Sequence, residues 1–417
     1  MALMTYLNAV GLLMVVGVWA VCLYQSGIWA YDIRLYAINT YGRVIHEFDP
    51  WFNYRATEYL GAQVAEHGWW NGHVEFFHWY DYKSWYPLGR PVGTTIYPGM
   101  QMSSVLIHRI INALGVEMSL NDVCCFVPVW FGVSGTFFLA FLTSECSQSW
   151  STGAAAAAIM SVVPAHLMRC HGGGYDNESV AITAMCMTFF LWVRALRADP
   201  KLTNGEPTRD SYIFGVLAGL AYIYMVAAWG GYIFVVNMIA IHAAALGCMG
   251  RYSSKLHRAY SLFYVIGVAG AMQVPVVGWT PLKSLEQMSG MAVFVIFQML
   301  EICEHSRRKN NLSWAKTQVL RVQASYSRTP PRLPCLARLK SLQRSDAWLL
   351  ASVAAGDHCC DVITRCHHAV SPFCSLAGPG RRHDGGRRDT GVALADRLLR
   401  PVLGPHPGTF RQAHPDR

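Results

Sequence analysis

Two short acidic clusters, each beside an apolar stretch, are the residues of this sequence that could do chemistry. The first holds Glu47 and Asp49, and the second holds Asp176 and Glu178. Carboxylates beside a bilayer are costly to desolvate, so they tend to face a cavity and to serve a function. Oxygen ligands are those that Mg²⁺ and Mn²⁺ prefer. We therefore expect Asp49, Asp176 and Glu178 to share one divalent cation if both clusters lie on one side of a membrane.

Local roles in helix capping are the alternative for the same carboxylates. Asp49 precedes Pro50 and is predicted as a helix N-cap, and Asp176 is predicted to cap the apolar stretch that follows it. Asp176 and Glu178 are two residues apart, so they cannot both face one side of a regular helix. Three glycines precede Tyr175, which favours a loop that folds tightly around an ion.

The composition is that of a membrane protein. The 417 residues are 53% hydrophobic and 14% charged, whereas a soluble protein carries roughly 25% charged residues. Residues 301–417 carry 19 Lys+Arg and 9 Asp+Glu, a net of +10, and the first 300 carry 15 and 16. The basic charge therefore belongs to the tail and does not indicate nucleic-acid binding. The thirteen cysteines, several of them in apolar stretches, are interpreted as buried thiols.

Apolar stretches close to the ~20 residues needed to cross a bilayer recur through the first 300 positions. They predict eight membrane-spanning helices at about 4–24, 123–143, 152–168, 179–193, 211–229, 231–249, 259–279 and 288–303. The first is also interpreted as the targeting signal. The segment 100–114 predicts an amphipathic helix at the interface. The expected fold is an all-α polytopic membrane domain over residues 1–304.

The charges of the loops predict the orientation of these spans. The basic loops 194–210, 250–258 and 307–309 fall on one side if every span crosses once. By the positive-inside rule that side is cytoplasmic and includes the N-terminus. The long first loop, 25–122, then faces the other side together with 170–178. Both acidic clusters are therefore predicted on the non-cytoplasmic face.

The first loop is rich in aromatic residues and carries a candidate phosphate ligand. Its aromatic side chains fit either an anchor at the membrane interface or a groove that binds a lipid-linked or sugar ligand. Arg90 has a guanidinium suited to bidentate contact with phosphate, although a structural role fits it too. From about residue 305 onward no apolar run of 18 residues and no period persists. We interpret 305–417 as a separate basic tail, either disordered or the product of a shifted reading frame.

Five blocks of sequence resemble a known family. They are HEFDPWFNYRATEYL, SWYPLGRPVGTTIYPGM, GGGYDNESVAITAM, MVAAWGGYIFVVN and MGRYSSKLHRAY. In this order they resemble the eukaryotic catalytic subunit of oligosaccharyltransferase, over about residues 20–300. The resemblance implies a transmembrane bundle of the lipid-phosphosugar glycosyltransferase (GT-C) type, with a long first lumenal loop.

The resemblance also implies an activity and a site. The family transfers an oligosaccharide from dolichyl diphosphate to Asn of Asn-x-Ser/Thr in the lumen of the endoplasmic reticulum, with inversion at the sugar. It implies that Asp49, Asp176 and Glu178 bind Mn²⁺ or Mg²⁺, with Glu47 as an additional ligand candidate. Arg90, Trp229 and Tyr232 are then candidates for donor binding. The implied partners are the lipid-linked donor, an acceptor polypeptide and other oligosaccharyltransferase subunits.

Two further segments of that family, Ser-Val-Ser-Glu and Trp-Trp-Asp-Tyr-Gly, do not occur in this sequence. A second hypothesis is therefore a non-catalytic fragment that binds the lipid-linked donor or partner subunits. A transporter is a third, because carboxylates in membranes often serve ion pathways. The position of both clusters at the edges of spans, rather than mid-span, favours the transferase.

Overall fold

The computed structural model describes residues 2–197 and 207–309, which form helices joined by short connections. The helices are α1 (Ala2–Arg34), α2 (Tyr36–Tyr41), α3 (Phe48–His78), α4 (Val92–Thr95), α5 (Gly99–Ala113), α6 (Leu120–Ser147), α7 (Trp150–Val162), α8 (Pro164–Leu167), α9 (Asn177–Ala195), α10 (Arg209–Ala228), α11 (Tyr232–Cys248), α12 (Ser254–Ala271), α13 (Thr280–Lys283) and α14 (Met288–Lys309). These residues include no β-strand, only an isolated bridge between Asp81 and Arg90. Apart from the end of α14, the predicted tail 305–417 lies outside the described residues.

Several helices have the length and composition of membrane spans. Among the described residues five qualify: Leu13–Arg34 of α1, Leu120–Ser147, Asn177–Ala195, Arg209–Ala228 and Met288–His305. Two more, α7 and α11, are apolar but shorter. The all-α polytopic class is confirmed, whereas the number of eight spans is not. The predicted span 259–279 corresponds to α12, which ends at Ala271 and is followed by turns.

Polar residues fix where these apolar helices begin. The Ser119 hydroxyl accepts a hydrogen bond from the N–H of Asp122 and caps α6. Asp176 caps α9, as predicted. The prediction that Asp49 is an N-cap is wrong, because α3 begins at Phe48 and its N-cap is Glu47. Asp49 therefore lies in the first turn of α3, with its side chain exposed.

The helices pack closely where small residues meet. Helix α10 packs between α9 and α12, α6 packs on α9, and α7 packs on α1 and α6. A Cβ added at Gly215 of α10 would lie 3.2 Å from the Ala259 carbonyl of α12, and one at Gly219 would lie 3.3 Å from the Phe263 carbonyl. Small residues let membrane helices approach in this way.

Helix α6 separates the acidic clusters from the basic loops. Near its start, Asp122 pairs with Arg43 at 3.1 Å, and the Cys125 carbonyl accepts a hydrogen bond from Gly173 at 3.0 Å. Near its end, Glu145 lies 3.5 Å from Arg194 and 3.4 Å from Arg197. At 1.5 Å per residue, the 28 residues of α6 are about 42 Å long. The acidic and basic segments therefore lie at opposite ends of a membrane-length helix.

Candidate functional site

The first acidic cluster lies where the chain enters α3. Glu47 has a φ of 71°, a left-handed conformation that is uncommon for a residue other than glycine. This turn directs the chain into α3, which carries Asp49 in its first turn and Asn53 one turn later. The Asn53 side chain is buried and donates a hydrogen bond to the carbonyl of Tyr175, at 3.2 Å. The start of α3 is thereby joined to the second cluster.

The second acidic cluster lies at the start of α9. The Asp176 carboxylate accepts a hydrogen bond from the N–H of Asn177 at 2.7 Å, and Glu178 lies in the first turn of the helix. Only Asp176 is in the loop, so the expectation of a loop for both carboxylates holds for one of them. Arg169 Nε lies 2.9 Å from Glu178 Oε2, outside hydrogen-bond geometry.

Tyr175 joins the two clusters. Its side chain is fully buried, and its hydroxyl lies 2.9 Å from Thr57 Oγ1 of α3 and donates to Ser104 Oγ of α5 at 2.6 Å. Gln101 of α5 also donates to Asn53 Oδ1, at 3.3 Å. Burial raises the pKa of Tyr175 well above its usual range, so the phenol remains protonated and can donate. This polar contact between α3, α5 and the loop holds the segment that carries Asp176 against the first turns of α3.

Backbone hydrogen bonds hold the loop that precedes Asp176. The N–H of Gly172 donates to the Arg34 carbonyl at 2.8 Å, and that of His46 donates to the Gly173 carbonyl at 3.3 Å. A Cβ added at Gly173 would lie 2.4 Å from the Val44 carbonyl, so this approach requires glycine. The glycine run is explained by close backbone contact between the two clusters.

A buried arginine supports the same loop from α1. Arg34 is fully buried, and its guanidinium donates to the carbonyls of Ala30 at 2.8 Å and Ser161 at 3.0 Å. It also lies 3.0 Å from Cys170 Sγ and 2.8 Å from His166 Nδ1. The planar guanidinium therefore joins the end of α1 to the residues on either side of α8.

The hydrogen bonds that join the two clusters do not by themselves define an ion site. Burial, and then the charges of Asp49 and Glu47, raise the pKa of Asp176. Among the described residues, however, the group of three ligand atoms that all lie within 4.8 Å of one another belongs to His46, Glu47 and His171. The expected set of Asp49, Asp176 and Glu178 does not form such a group, and its role as a metal site stays a prediction.

Arg90 lies against the first turns of α3. Its guanidinium is 5.0 Å from the ring of Phe52 and 4.8 Å from the ring of Trp85, and it donates to Thr95 Oγ1 at 2.9 Å. Partial burial lowers its pKa. Phe52 is one helical turn from Asp49, so the structure brings Arg90 to the side of the first acidic cluster.

Trp229 and Tyr232 flank the turn between α10 and α11. Trp229 is 38% exposed, whereas Tyr232 is 3% exposed and its hydroxyl accepts a hydrogen bond from Gln287 at 3.2 Å. A Cβ at Gly230 would lie 2.9 Å from the hydroxyl of Tyr97, which follows Arg90 by seven residues. Trp229 therefore has the surface that a donor-lining residue needs, and the donor role of both residues stays a prediction.

The fold and the site define a multi-pass helical membrane protein with its candidate catalytic carboxylates at one end of the bundle. A family model described as "Oligosaccharyl transferase STT3, N-terminal" matches residues 12–330. The chain therefore belongs to the STT3 family of oligosaccharyl transferases. This match confirms the resemblance inferred from the five sequence blocks.

Relatives at about 40% identity are named as STT3 subunits of a glycosyltransferase. The chain is 41% identical over 269 residues to the dolichyl-diphosphooligosaccharide–protein glycosyltransferase subunit of Schizosaccharomyces pombe, covering 64% of this chain and 33% of the relative. It is 39% identical over 293 residues to the Saccharomyces cerevisiae subunit, covering 70% and 38%. The chain thus spans about a third of the length of the curated relatives that it matches.

Solved structures of an archaeal enzyme share the fold. The Archaeoglobus fulgidus oligosaccharyltransferase in complex with Zn and sulfate matches with a TM-score of 0.55 at 15% identity, covering 73% of this chain and 39% of that one. The same enzyme with an inhibitory peptide and a dolichol-phosphate matches with a TM-score of 0.53 at 15% identity, covering 85% and 39%. At this identity the likeness concerns the fold.

Proposed function

We propose that the chain acts in the transfer of an oligosaccharide from dolichyl diphosphate to Asn of Asn-x-Ser/Thr sequences in nascent proteins. The observation that carries the proposal is the contact between the two acidic clusters at one end of the bundle, where Asn53 donates to the Tyr175 carbonyl, in a chain of the STT3 family. The relatives are named as dolichyl-diphosphooligosaccharide–protein glycosyltransferase subunits, and the archaeal enzyme of similar fold was solved with a dolichol-phosphate.

We assign the acceptor side of the reaction to Asp49. An amide nitrogen is a poor nucleophile, because resonance delocalises its lone pair. Asp49 is exposed in the first turn of α3, where its carboxylate can accept a hydrogen bond from the acceptor amide and weaken that conjugation. The amide nitrogen then displaces the diphosphate from the sugar with inversion. Arg90 lies against the ring of Phe52, where its guanidinium can contact a phosphate of the donor. Trp229 and Tyr232 are assigned to donor binding as well.

Asp49, Asp176 and Glu178 are the residues that would hold Mn²⁺ or Mg²⁺. They supply the oxygen ligands that these ions prefer, and the repulsion between Asp49 and Asp176 is relieved by a cation. Glu178 Oε2 lies 2.9 Å from Arg169 Nε, so a cation at this site would take the place of that guanidinium. A bound cation would supply positive charge against the diphosphate leaving group. The archaeal enzyme in complex with Zn and sulfate supports a divalent cation in this fold.

We also propose the membrane of the endoplasmic reticulum as the location, with the acidic end lumenal and the N-terminus cytoplasmic. The support is that Arg194 and Arg197 lie at the end of α6 opposite the acidic clusters, as the positive-inside rule requires. We propose residues 1–304 as the membrane domain and 305–417 as a separate tail. Because the relatives are named as subunits, other oligosaccharyltransferase subunits are proposed partners.

Expression in cells that lack their own catalytic subunit tests the activity. We expect glycosylation of an Asn-x-Thr reporter peptide in microsomes with the wild-type chain and at least ~100-fold less with Asp49→Asn. Asp210→Asn, at the opposite end of the bundle, serves as the control and retains transfer. No transfer by the wild-type chain would contradict the catalytic proposal. If the lipid-linked donor still binds, the second hypothesis, a donor-binding protein without transfer, replaces it.

A further inference from the structure

The group formed by His46, Glu47 and His171 has no assigned role. One ligand atom from each residue lies within 4.8 Å of the other two, and the His46 and His171 rings stack 5.0 Å apart at an angle of 9°. The group shares Glu47 with the candidates for the Mn²⁺ or Mg²⁺ site but adds two imidazoles. Two aligned imidazoles beside a carboxylate are a ligand set of a different chemical kind.

The glycines of the second cluster make room for these rings. A Cβ added at Gly173 would lie 3.0 Å from His46 Nε2, and one at Gly174 would lie 2.7 Å from His171 Cε1. The backbone N–H of His46 also donates to the Gly173 carbonyl, at 3.3 Å. The backbone at Gly173 is therefore fitted around the His46 ring of the other segment, and the backbone at Gly174 around the His171 ring of its own segment.

Glu47 and His171 are each held in the manner of a ligand. Glu47 has a φ of 71°, a strained conformation for a residue other than glycine that tends to occur at functional sites. Although Glu47 is the N-cap residue of α3, its side chain makes no capping hydrogen bond. The His171 ring is partly buried, and its contact with the His46 ring 5.0 Å away restricts its orientation.

We propose that His46, Glu47 and His171 form a zinc site. Two imidazoles and one carboxylate are a ligand set that Zn²⁺ accepts, with a fourth position left for water. Mg²⁺ prefers oxygen ligands throughout, so the two histidines select against it. The inference goes beyond the proposed transfer activity and does not depend on it.

Such a site would join the two acidic clusters. Glu47 precedes Asp49 by two residues, and His171 precedes Asp176 by five. An ion bound by both segments would hold the start of α3 against the loop before α9, in addition to the hydrogen bonds of Tyr175. The role of the zinc site is therefore to fix the two acidic clusters relative to each other, beside the candidate active site.

Metal content and the spectrum of the cobalt-substituted protein test the proposal on the purified full chain. We expect one Zn²⁺ per chain by mass spectrometry after dialysis against a weak chelator. Co²⁺ should give visible absorption bands that Zn²⁺ removes. His46→Ala and His171→Ala should each weaken Zn²⁺ binding by more than the ~10–100-fold that loss of an outer-shell partner costs. His67→Ala, which changes an exposed histidine of α3, is the control and should bind as the wild type does.

Two results would overturn the proposal: a wild-type chain that binds no Zn²⁺, or a His171→Ala variant with unchanged affinity. Asp176→Asn separates this site from the carboxylate site, since the variant should lose Mn²⁺ and keep Zn²⁺. Loss of Zn²⁺ in Asp176→Asn with no loss in His171→Ala would assign the ion to the carboxylates instead. X-ray absorption of the Zn²⁺-loaded wild type avoids variants that fail to fold. It should show two imidazoles, and a shell of oxygen alone would refute the site.

Discussion

Removal of one buried hydroxyl should measure how strongly the two clusters are joined. Tyr175→Phe deletes the contacts of the hydroxyl with Thr57 at 2.9 Å and Ser104 at 2.6 Å. Thr57 still donates to the Asn53 carbonyl and Ser104 to the Met100 carbonyl, so neither hydroxyl is left with an unsatisfied proton. Because the proton of Tyr175 goes to Ser104 and that of Thr57 to the Asn53 carbonyl, one hydrogen bond is lost, and the free energy of unfolding should fall by about 0.5–1.5 kcal/mol.

A second buried tyrosine provides the matched control. The Tyr264 hydroxyl of α12 is buried without a hydrogen-bond partner among the described residues. Tyr264→Phe should therefore leave the free energy of unfolding unchanged or raise it, because an unsatisfied polar atom is removed. Both variants are compared with the wild type by denaturation with SDS in mixed micelles. An equal effect of the two substitutions would refute the role assigned to Tyr175.

Two further substitutions test the backbone and the first loop. Gly173→Ala places a Cβ 2.4 Å from the Val44 carbonyl, whereas Gly42→Ala, at a similar positive φ, meets nothing within 4 Å. Gly173→Ala should thus cost about 1–3 kcal/mol more than Gly42→Ala in SDS denaturation; equal costs would contradict the close approach. Hydrogen bonds, from Arg55 first and then from Ser84 and Lys83, lower the pKa of the Asp81 carboxyl. The stabilisation by this carboxylate is therefore fully present above the unfolded-state pKa of about 3.9, and it is lost as the pH falls towards the folded-state pKa. After discounting for the 39% exposure of Arg55, Asp81→Asn should cost about 1–2 kcal/mol at neutral pH and less in acid, against at most about 1 kcal/mol for Asp122→Asn. Thermal unfolding as a function of pH measures both, and a pH-independent cost for Asp81→Asn would refute the assignment.

The helices were largely predictable from hydropathy, and several of their ends agree within two residues, whereas the end of α12 does not. Each of the eight predicted spans corresponds to a helix, because an apolar segment must satisfy its backbone hydrogen bonds within itself. The stretch 259–279 shows the limit, since α12 ends at Ala271 and the apolar Val274 and Val277 are buried in the turns that follow. Hydropathy does not distinguish burial against protein from exposure to lipid.

The candidate site was predictable only in part. The carboxylates were identified because acidic residues are rare beside apolar spans. Tyr175 and Ser104 were missed, since their hydrogen bond joins positions 71 residues apart and has no local pattern. Gln101 and Ser104 in the amphipathic helix α5 were the available signal, because buried polar side chains require partners. His46 and His171 were missed for the same reason as Tyr175.

Binding of Mn²⁺ to the purified chain tests the central claim, that the two acidic clusters form one cation site. Electron paramagnetic resonance counts free Mn²⁺ during titration of the wild type, Asp176→Asn and the Asp210→Asn control. We predict one site in the wild type and the control, and an affinity at least ~10-fold lower in Asp176→Asn, which loses a charged ligand. Equal Mn²⁺ affinity in Asp176→Asn and the wild type, or no binding by the wild type, would contradict the account.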